Sequence, residues 1–408
     1  MTITDDAKAF VAEHWHAAQT VRGWWAAMSD AGLSFPHWPV GCGGRNASVI
    51  EAADVAKVFG LAGVIAAPPG LGTLMGGPVV RDFGSAEQHL RLLPALASGA
   101  EGWCQLFSEP GAGSDLAGLR TRADKDGSEW IVNGQKVWTS GANHSRRGML
   151  VARTNWDVPK HRGLTYFIID LDQPGVDIRP LKQMNHRSHF SEVFLTDARV
   201  ADADRISEAS NGWAVTVATL GYERTGLAAA DAPGLVRVSS GELAGHLDRL
   251  AFDVVAEHRS ADKPDDEGAP GRFPALQARA ATYGANATAA VRQALAHSYS
   301  DDRVAELSAQ RSGAGAPTAF LAKLAWTNGL RRASTLGLAS MGPHGMLAGD
   351  DAPDAGVASQ FALSVPSASI AGGSDEIQRN IIGERVLGLP KDISVDTDVA
   401  FRDVRKSG

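Results

Sequence analysis

Cysteine is almost absent: Cys42 and Cys104 are the two in 408 residues. They are too few and too far apart for a disulfide framework or a thiolate metal cluster, and such usage fits a reducing cytoplasm. A basic excess is missing as well. Lys and Arg number 39 against 46 Asp and Glu, a net charge of −7, so there is no electrostatic footprint for nucleic acid or for an anionic membrane. No run approaches the ~18 apolar residues of a membrane span. The opening "MTITDDAKAF" is acidic and has no apolar signal core. Repeats and low-complexity tracts are also wanting. What remains is ordinary globular composition, 44% hydrophobic and 21% charged, in a chain long enough for two or three packed layers or domains.

Along the chain the hydrophobic period changes twice. From Asp5 to about Glu101 the text is helical, with "VAEHWHAAQTVRGWWAAMSDAGL" and "VIEAADVAKVFGLAGVIA" separated by Gly/Pro loops such as "FPHWPVGCGGRN". Trp15, Trp24 and Trp25 read as core residues there. Short runs rich in β-branched and aromatic residues follow: "SEWIVNGQKVWTSG", "GMLVARTN", "LTYFIIDLD", "VDIRPL" and "SEVFLTDARV", with turns expected at "KDGS" and "VNGQ". From Gly212 helical text returns, interrupted by the polar, Pro/Gly-rich "HRSADKPDDEGAPGRF" (258–273), which reads as an exposed loop. The expected division is a helical domain over 1–105, a β domain over 106–210 and a second helical domain over 211–408, an α+β chain.

Three stretches carry chemistry. "CQLFSEPGAGSDLAGL" sets Ser108 before a Pro-Gly-Ala-Gly-Ser-Asp loop that offers backbone N–H groups and small hydroxyls to a flat polar ligand. In "NGQKVWTSGA", Trp138 and Ser140 fall on one side of a strand, an indole wall beside a hydroxyl that suits a planar heteroaromatic ring. In "IAGGSDEIQRNIIGERVLGLP", Gly372 and Gly373 lead into a helix with Ile377, Ile381, Ile382 and Val386 at helical spacing. Bare N–H groups at such a start suit a phosphate, a carbonyl oxygen or another electron-rich group, and a plain helix cap is the alternative.

Together with "HFSEVFLTDARV" and "SNGWAVTVATLGYERTG", these stretches resemble the acyl-CoA dehydrogenase family of flavoproteins over almost the whole chain. The resemblance implies an N-terminal helical domain, a central β-barrel-like domain and a C-terminal four-helix bundle, with FAD between the last two. It implies α,β-dehydrogenation of an acyl-CoA thioester, with electrons passed to an electron-transfer flavoprotein. Phe107 and Ser108 are then expected at the flavin's pyrimidine end, with Trp138 walling one face and Ser140 bonding its edge. Gly113 and Ser114 are expected near the flavin and the acyl-CoA, Ser374 and Glu376 near FAD, and Arg224 on the substrate side. The N–H groups of Gly373 to Glu376 are expected on the thioester carbonyl. No metal is expected.

Many members carry their base, a glutamate, where this chain has Gly372. In the isovaleryl-CoA and long-chain branches the glutamate precedes an arginine in the first helix of the bundle, and here "TLGYERTG" puts Glu223 before Arg224. Glu223 is therefore the expected base, a locally paired surface acid being the bland alternative. Two family elements that reach FAD across a subunit interface are replaced. The Arg-x-x-Phe-Gly stretch gives way to "AEHRSADKPDDEGAPGRF", and the Gln-x-x-Gly-Gly-x-Gly loop to "ASMGPHG", with Ala339 in the glutamine's place. This resembles actinobacterial members that work as mixed tetramers with a paralogue; a homo-oligomer is the alternative. An oxidase or flavin monooxygenase of the same fold, or a partner subunit, are the competing functions.

Overall fold

The computed structural model describes residues 2–228, 234–241, 245–260, 273–313, 319–347, 352–391, 393 and 396–404, so most of the loop expected over 258–273 lies outside the described residues. The chain divides into two compact units, 1–183 with 188–260 and 394–408, and 184–187 with 261–393.

The first unit opens with helices whose starts are written in the sequence. Thr2, Ser48 and Ser85 each form a capping box, with Asp5, Glu51 and Gln88, ahead of α1 (Ile3–His14), α3 (Val49–Ala62) and α5 (Ala86–Ala97). Between them lie α2 (Val21–Asp30) and α4 (Gly77–Phe83). Trp24 and Trp25 of α2 are buried, and their indole N–H groups donate to the carbonyls of Ile65 at 2.9 Å and Ala66 at 2.7 Å. An indole is buried at little cost only when that donor is matched. Their cluster also takes in Val254 and Val255 of α7 (Ala251–Ser260).

The β text becomes one eight-stranded sheet. Its strands are β1 (Trp103–Leu106), β2 (Arg122–Asp126), β3 (Glu129–Ser140), β4 (Arg147–Arg153), β5 (Leu164–Asp170), β6 (Val176–Leu181), β7 (Phe190–Ala201) and β8 (Arg205–Ile206). The order is β6-β7-β3-β2-β4-β5-β8, with β1 parallel to β4. Strands β4 and β5 are buried on both faces, so their side chains alternate between two cores. Met149, Val151, Tyr166 and Ile168 join the cluster of α4 and α5, while Leu150, Ala152, Phe167 and Ile169 meet Val193, Leu195 and Trp130. The last of these cores is enclosed by strands of the same sheet, which gives the barrel-like packing.

Of the two turns expected, "KDGS" turns between β2 and β3, with Gly127 at φ +60°. "VNGQ" does not turn: it lies inside β3, where the pairing with β7 shifts between Val132 and Gly134. The Asn133 amide donates to the Asp197 carboxylate at 2.9 Å, and a Cβ on Gly134 would stand 2.4 Å from Thr121 Oγ1. The Asn-Gly pair thus makes a bulge that lets two chain segments touch. Helix α6 (Gly212–Ala228) closes the unit's helical series with α7.

The second unit contains α8 (Phe273–Thr282), α9 (Ala289–Gly313), α10 (Ala319–Met341), α11 (Val357–Ala368) and α12 (Asp375–Arg385). Its core is small, built on Leu276, Ala280, Leu295, Ala333 and Leu336. Among the described residues no helix is long and apolar enough to cross a membrane, and no group of His, Cys, Asp and Glu could hold a metal ion.

Candidate functional site

In the first unit the loop after β1 and the end of β3 are fastened together. The Val137 N–H donates to the Ser108 carbonyl at 2.9 Å, and Lys136 Nζ donates to the Phe107 carbonyl at 3.0 Å and to Glu109 Oε1 at 2.9 Å. Lys136 is fully buried. Glu109 also accepts the N–H groups of Arg120 at 2.6 Å and Thr121 at 2.8 Å, so one carboxylate ties both arms of the Ser108–Arg120 loop to the strand. Burial works to raise the Glu109 carboxyl, but the Lys136 charge and the hydrogen bonds outweigh it and leave it below the usual carboxylate range. Strand β3 shifts register again between Lys136 and Thr139, and Trp138 takes φ +61°. A non-glycine residue in that region is strained, and here the result is an indole 57% exposed, edge-on to Phe190 at 5.9 Å, with half-buried Ser140 two residues on.

Phe107 points inward and meets Tyr166 edge-on at 5.9 Å. The Thr219 hydroxyl of α6 reaches the Tyr166 oxygen at 3.4 Å. Glu223 lies four residues after Thr219, one turn along the same helix face, and is half-buried. Its neighbour Tyr222 donates to the carboxylate of Asp82 on α4, which also accepts Arg81 Nη2 at 2.9 Å. Burial and then Asp82 push the Tyr222 hydroxyl up to about 12, so it is a proton donor at neutral pH. The structure therefore brings the backbone of Phe107 and Ser108 beside the end of β3 that carries Trp138 and Ser140, turns the Phe107 ring into the core, and sets Glu223 one turn beyond the Thr219 that reaches Tyr166. Gly113 and Ser114 lie at the exposed loop tip, and a Cβ on Gly113 would meet nothing within 4 Å. The Arg224 side chain lies outside the described residues.

The remaining candidates belong to the second unit, where Gly372 and Gly373 stand at φ +66° and +89°. That backbone is why glycine occupies both places. Ser374 caps α12, its hydroxyl accepting the Ile377 N–H at 3.4 Å, and Glu376 is exposed, 3.7 Å from Arg379. Of the four N–H groups expected on a ligand oxygen, that of Asp375 donates instead to the Ser369 carbonyl at 3.0 Å, which takes it out of the expected set. Buried Asp375 accepts Lys323 at 3.0 Å, Thr327 at 3.0 Å and Arg331, locking the helix start to α10. Gln378 Nε2 closes on the Gly372 carbonyl at 2.9 Å.

Sequence reading missed these supporting groups: Glu109, Lys136, Tyr222, Asp82, Asp375 and Gln378. One signal was available. A lysine at the inward register set by Trp130 and Val132, followed by Val137 and Trp138 in "QKVW", can stay buried only with an acid beside it.

Comparison with known proteins gives three matching family descriptions: "Acyl-CoA dehydrogenase, N-terminal domain" over residues 2–100, "middle domain" over 104–198 and "C-terminal domain" over 210–387. The chain is 35% identical over 381 residues to acyl-CoA dehydrogenase IpdE1 of Mycobacterium tuberculosis, spanning 93% of this chain and 90% of that protein. It is 35% identical over 365 residues to acyl-CoA dehydrogenase FadE34 of the same organism, spanning 90% of this chain and 46% of that one. Among solved structures, the ChsE4-ChsE5 complex from Mycobacterium tuberculosis matches with a TM-score of 0.66 at 24% identity, over 96% of this chain and 97% of that one. The Tcur3481-Tcur3483 steroid ACAD matches with a TM-score of 0.66 at 24% identity, over 95% and 97%; both likenesses are of fold.

Proposed function

The chain belongs to the acyl-CoA dehydrogenase family, and from that premise we propose that it converts an acyl-CoA thioester to the 2,3-enoyl-CoA with Glu223 as the base. The α-hydrogen of a thioester is only weakly acidic, so a carboxylate must take it as the hydride leaves the β-carbon. FAD, when bound, is the acceptor of that hydride. The residues fit such a group: an exposed indole held out by a strained strand, a half-buried hydroxyl two residues on, and a loop of small residues fastened beside them. Trp138 walls the ring, Ser140 bonds its edge, and Ser108 with the backbone of Phe107 lines its polar end. Gly113 and Ser114 serve the flavin and the acyl-CoA, with Arg224 on the substrate side. Ser374 and Glu376 serve the cofactor, and the N–H of Gly373 takes an electron-rich oxygen, the role for which its φ of +89° leaves it suited.

The single observation that carries the base assignment is the placement of Glu223 one turn beyond Thr219, on the face of α6 that reaches Tyr166 and through it Phe107. Glu223→Gln removes the proton acceptor and keeps the shape. Flavin content and acyl-CoA binding should persist while turnover falls about 10²–10⁴-fold. Turnover within a factor of two of the parent would reject Glu223. The electrons pass on to an electron-transfer flavoprotein in this reading, and oxygen uptake with acyl-CoA and no added acceptor would point to an oxidase instead. The two solved relatives whose names pair two components support a mixed assembly with a paralogue, and the one named a steroid ACAD supports a panel that includes steroid-type as well as fatty acyl-CoAs.

A further inference from the structure

Residues 396–404 lie beyond the last family match, which ends at 387, and they fold against the first unit. The Phe401 N–H donates to the Val158 carbonyl at 2.9 Å and the Arg402 N–H to the Trp156 carbonyl at 3.0 Å. Arg402 pairs with Asp157, and Lys160 joins Asp396 at 3.0 Å to Asp115 at 3.2 Å. The Phe401 ring, 3% exposed, is covered by the guanidinium of Arg153, whose central carbon stands 3.4 Å from the ring centre. Arg120 approaches the same ring at 5.1 Å.

Arg153 is 0% exposed, and its hydrogen-bond acceptors are all backbone carbonyls: Ala117 at 2.6 Å, Leu119 at 3.1 Å and Lys160 at 3.1 Å. Ala117 and Leu119 lie on the return arm of the Ser108–Arg120 loop. Among the described residues no carboxylate is hydrogen-bonded to this buried cation, so it depends on its remaining contacts, and an aromatic face held against it is one of the few that also excludes water. The Trp156 ring lies farther off, 5.7 Å from the guanidinium carbon, so without the close Phe401 face water can reach the guanidinium and its grip on the loop carbonyls weakens. Removing the whole segment also takes Asp396 from Lys160, and with it the indirect link of Asp115 to the tail.

We propose that the 396–404 segment is a clasp on the Ser108–Arg120 loop, with Phe401 a positioning residue that acts through Arg153 on cofactor and acyl-CoA binding. The second half of that statement rests on the loop's binding role proposed above; the first half does not. Its chemistry separates it from ordinary core filling, since Leu would fill the space but offer no π face, whereas Trp would offer one.

The test uses the holoenzyme of the full chain, of Phe401→Leu, of Phe401→Trp and of a chain ended after Lys391. Hydrogen exchange is followed at the Arg120 and Thr121 amides, whose partner is Glu109, together with flavin content and KM and kcat for acyl-CoA. Expected for Phe401→Leu and the shortened chain are exchange at least tenfold faster at both amides, KM raised about fivefold or more and kcat within a factor of two. Phe401→Trp should restore slow exchange. Faster exchange with KM and flavin content unchanged would uphold the clasp and reject the loop's binding role. Exchange unchanged in Phe401→Leu, or equal in Phe401→Leu and Phe401→Trp, would overturn the clasp whatever KM does.

Discussion

At the scale of single residues, the buried Lys136–Glu109 pair is the most exposed to mutation. Lys136→Met leaves a carboxylate in the interior without its cation, which costs about 3–5 kcal/mol, whereas pairing it with Glu109→Gln should recover much of that loss. Urea unfolding of the single and double variants measures both. The pair also sets a pH dependence. Because the Glu109 carboxyl sits below its unfolded value of about 4.3, its contribution is fully present above that pH and is lost as pH falls through the folded value. The stability gap between the parent and Glu109→Gln should therefore close on acidification and stay constant from pH 6 to 8. Trp138 is the complementary case, a side chain whose strain and exposure do nothing for the fold. Trp138→Ala should leave the melting temperature nearly unchanged while loosening FAD and shifting its visible spectrum; unaltered flavin content and spectrum would remove Trp138 from the site.

Among elements, α6 is the one whose rotation matters, since neighbouring side chains project about 100° apart around a helix. Tyr222 fixes that rotation by its bond to Asp82 on α4. Arg81 first, then Tyr222, hold the Asp82 carboxyl below its usual range, so the acceptor stays charged at neutral pH. Tyr222→Phe should lower stability by about 1–2 kcal/mol in thermal or urea unfolding, and a change below about 0.3 kcal/mol would deny the tether. Much at this scale was legible. The five runs rich in β-branched and aromatic residues became β3 to β7, because strands buried on one or both faces need those side chains. The glycine-led helix and its Ser374 cap were also readable. The bulge at Asn133–Gly134 was not, since an Asn-Gly pair favours a tight turn locally and only the contact with Thr121 decides for a bulge. Nor was the Lys136–Glu109 link, which joins residues 27 apart through a loop conformation that no local pattern specifies.

For the whole molecule, assembly is the open property that composition and motif most constrain. FAD carries a pyrophosphate whose charges need an arginine or several N–H donors, and the two stretches that the family resemblance expects to supply them across subunits are replaced here. The chain expressed alone should carry less than one FAD each, and co-expression with a paralogue that keeps those stretches should raise both occupancy and activity. A homo-tetramer with full flavin and full activity by itself would exclude the mixed assembly. The Phe401 clasp adds a matter of timing. Its partner Arg153 is made 248 residues earlier (401 minus 153), an interval of roughly 12–50 s at ribosomal rates of about 5–20 residues per second. The first unit thus waits on the synthesis of residues 396–404, and a ribosome-stalled nascent chain lacking them would display its sheet folded while the glycine loop was still ungripped.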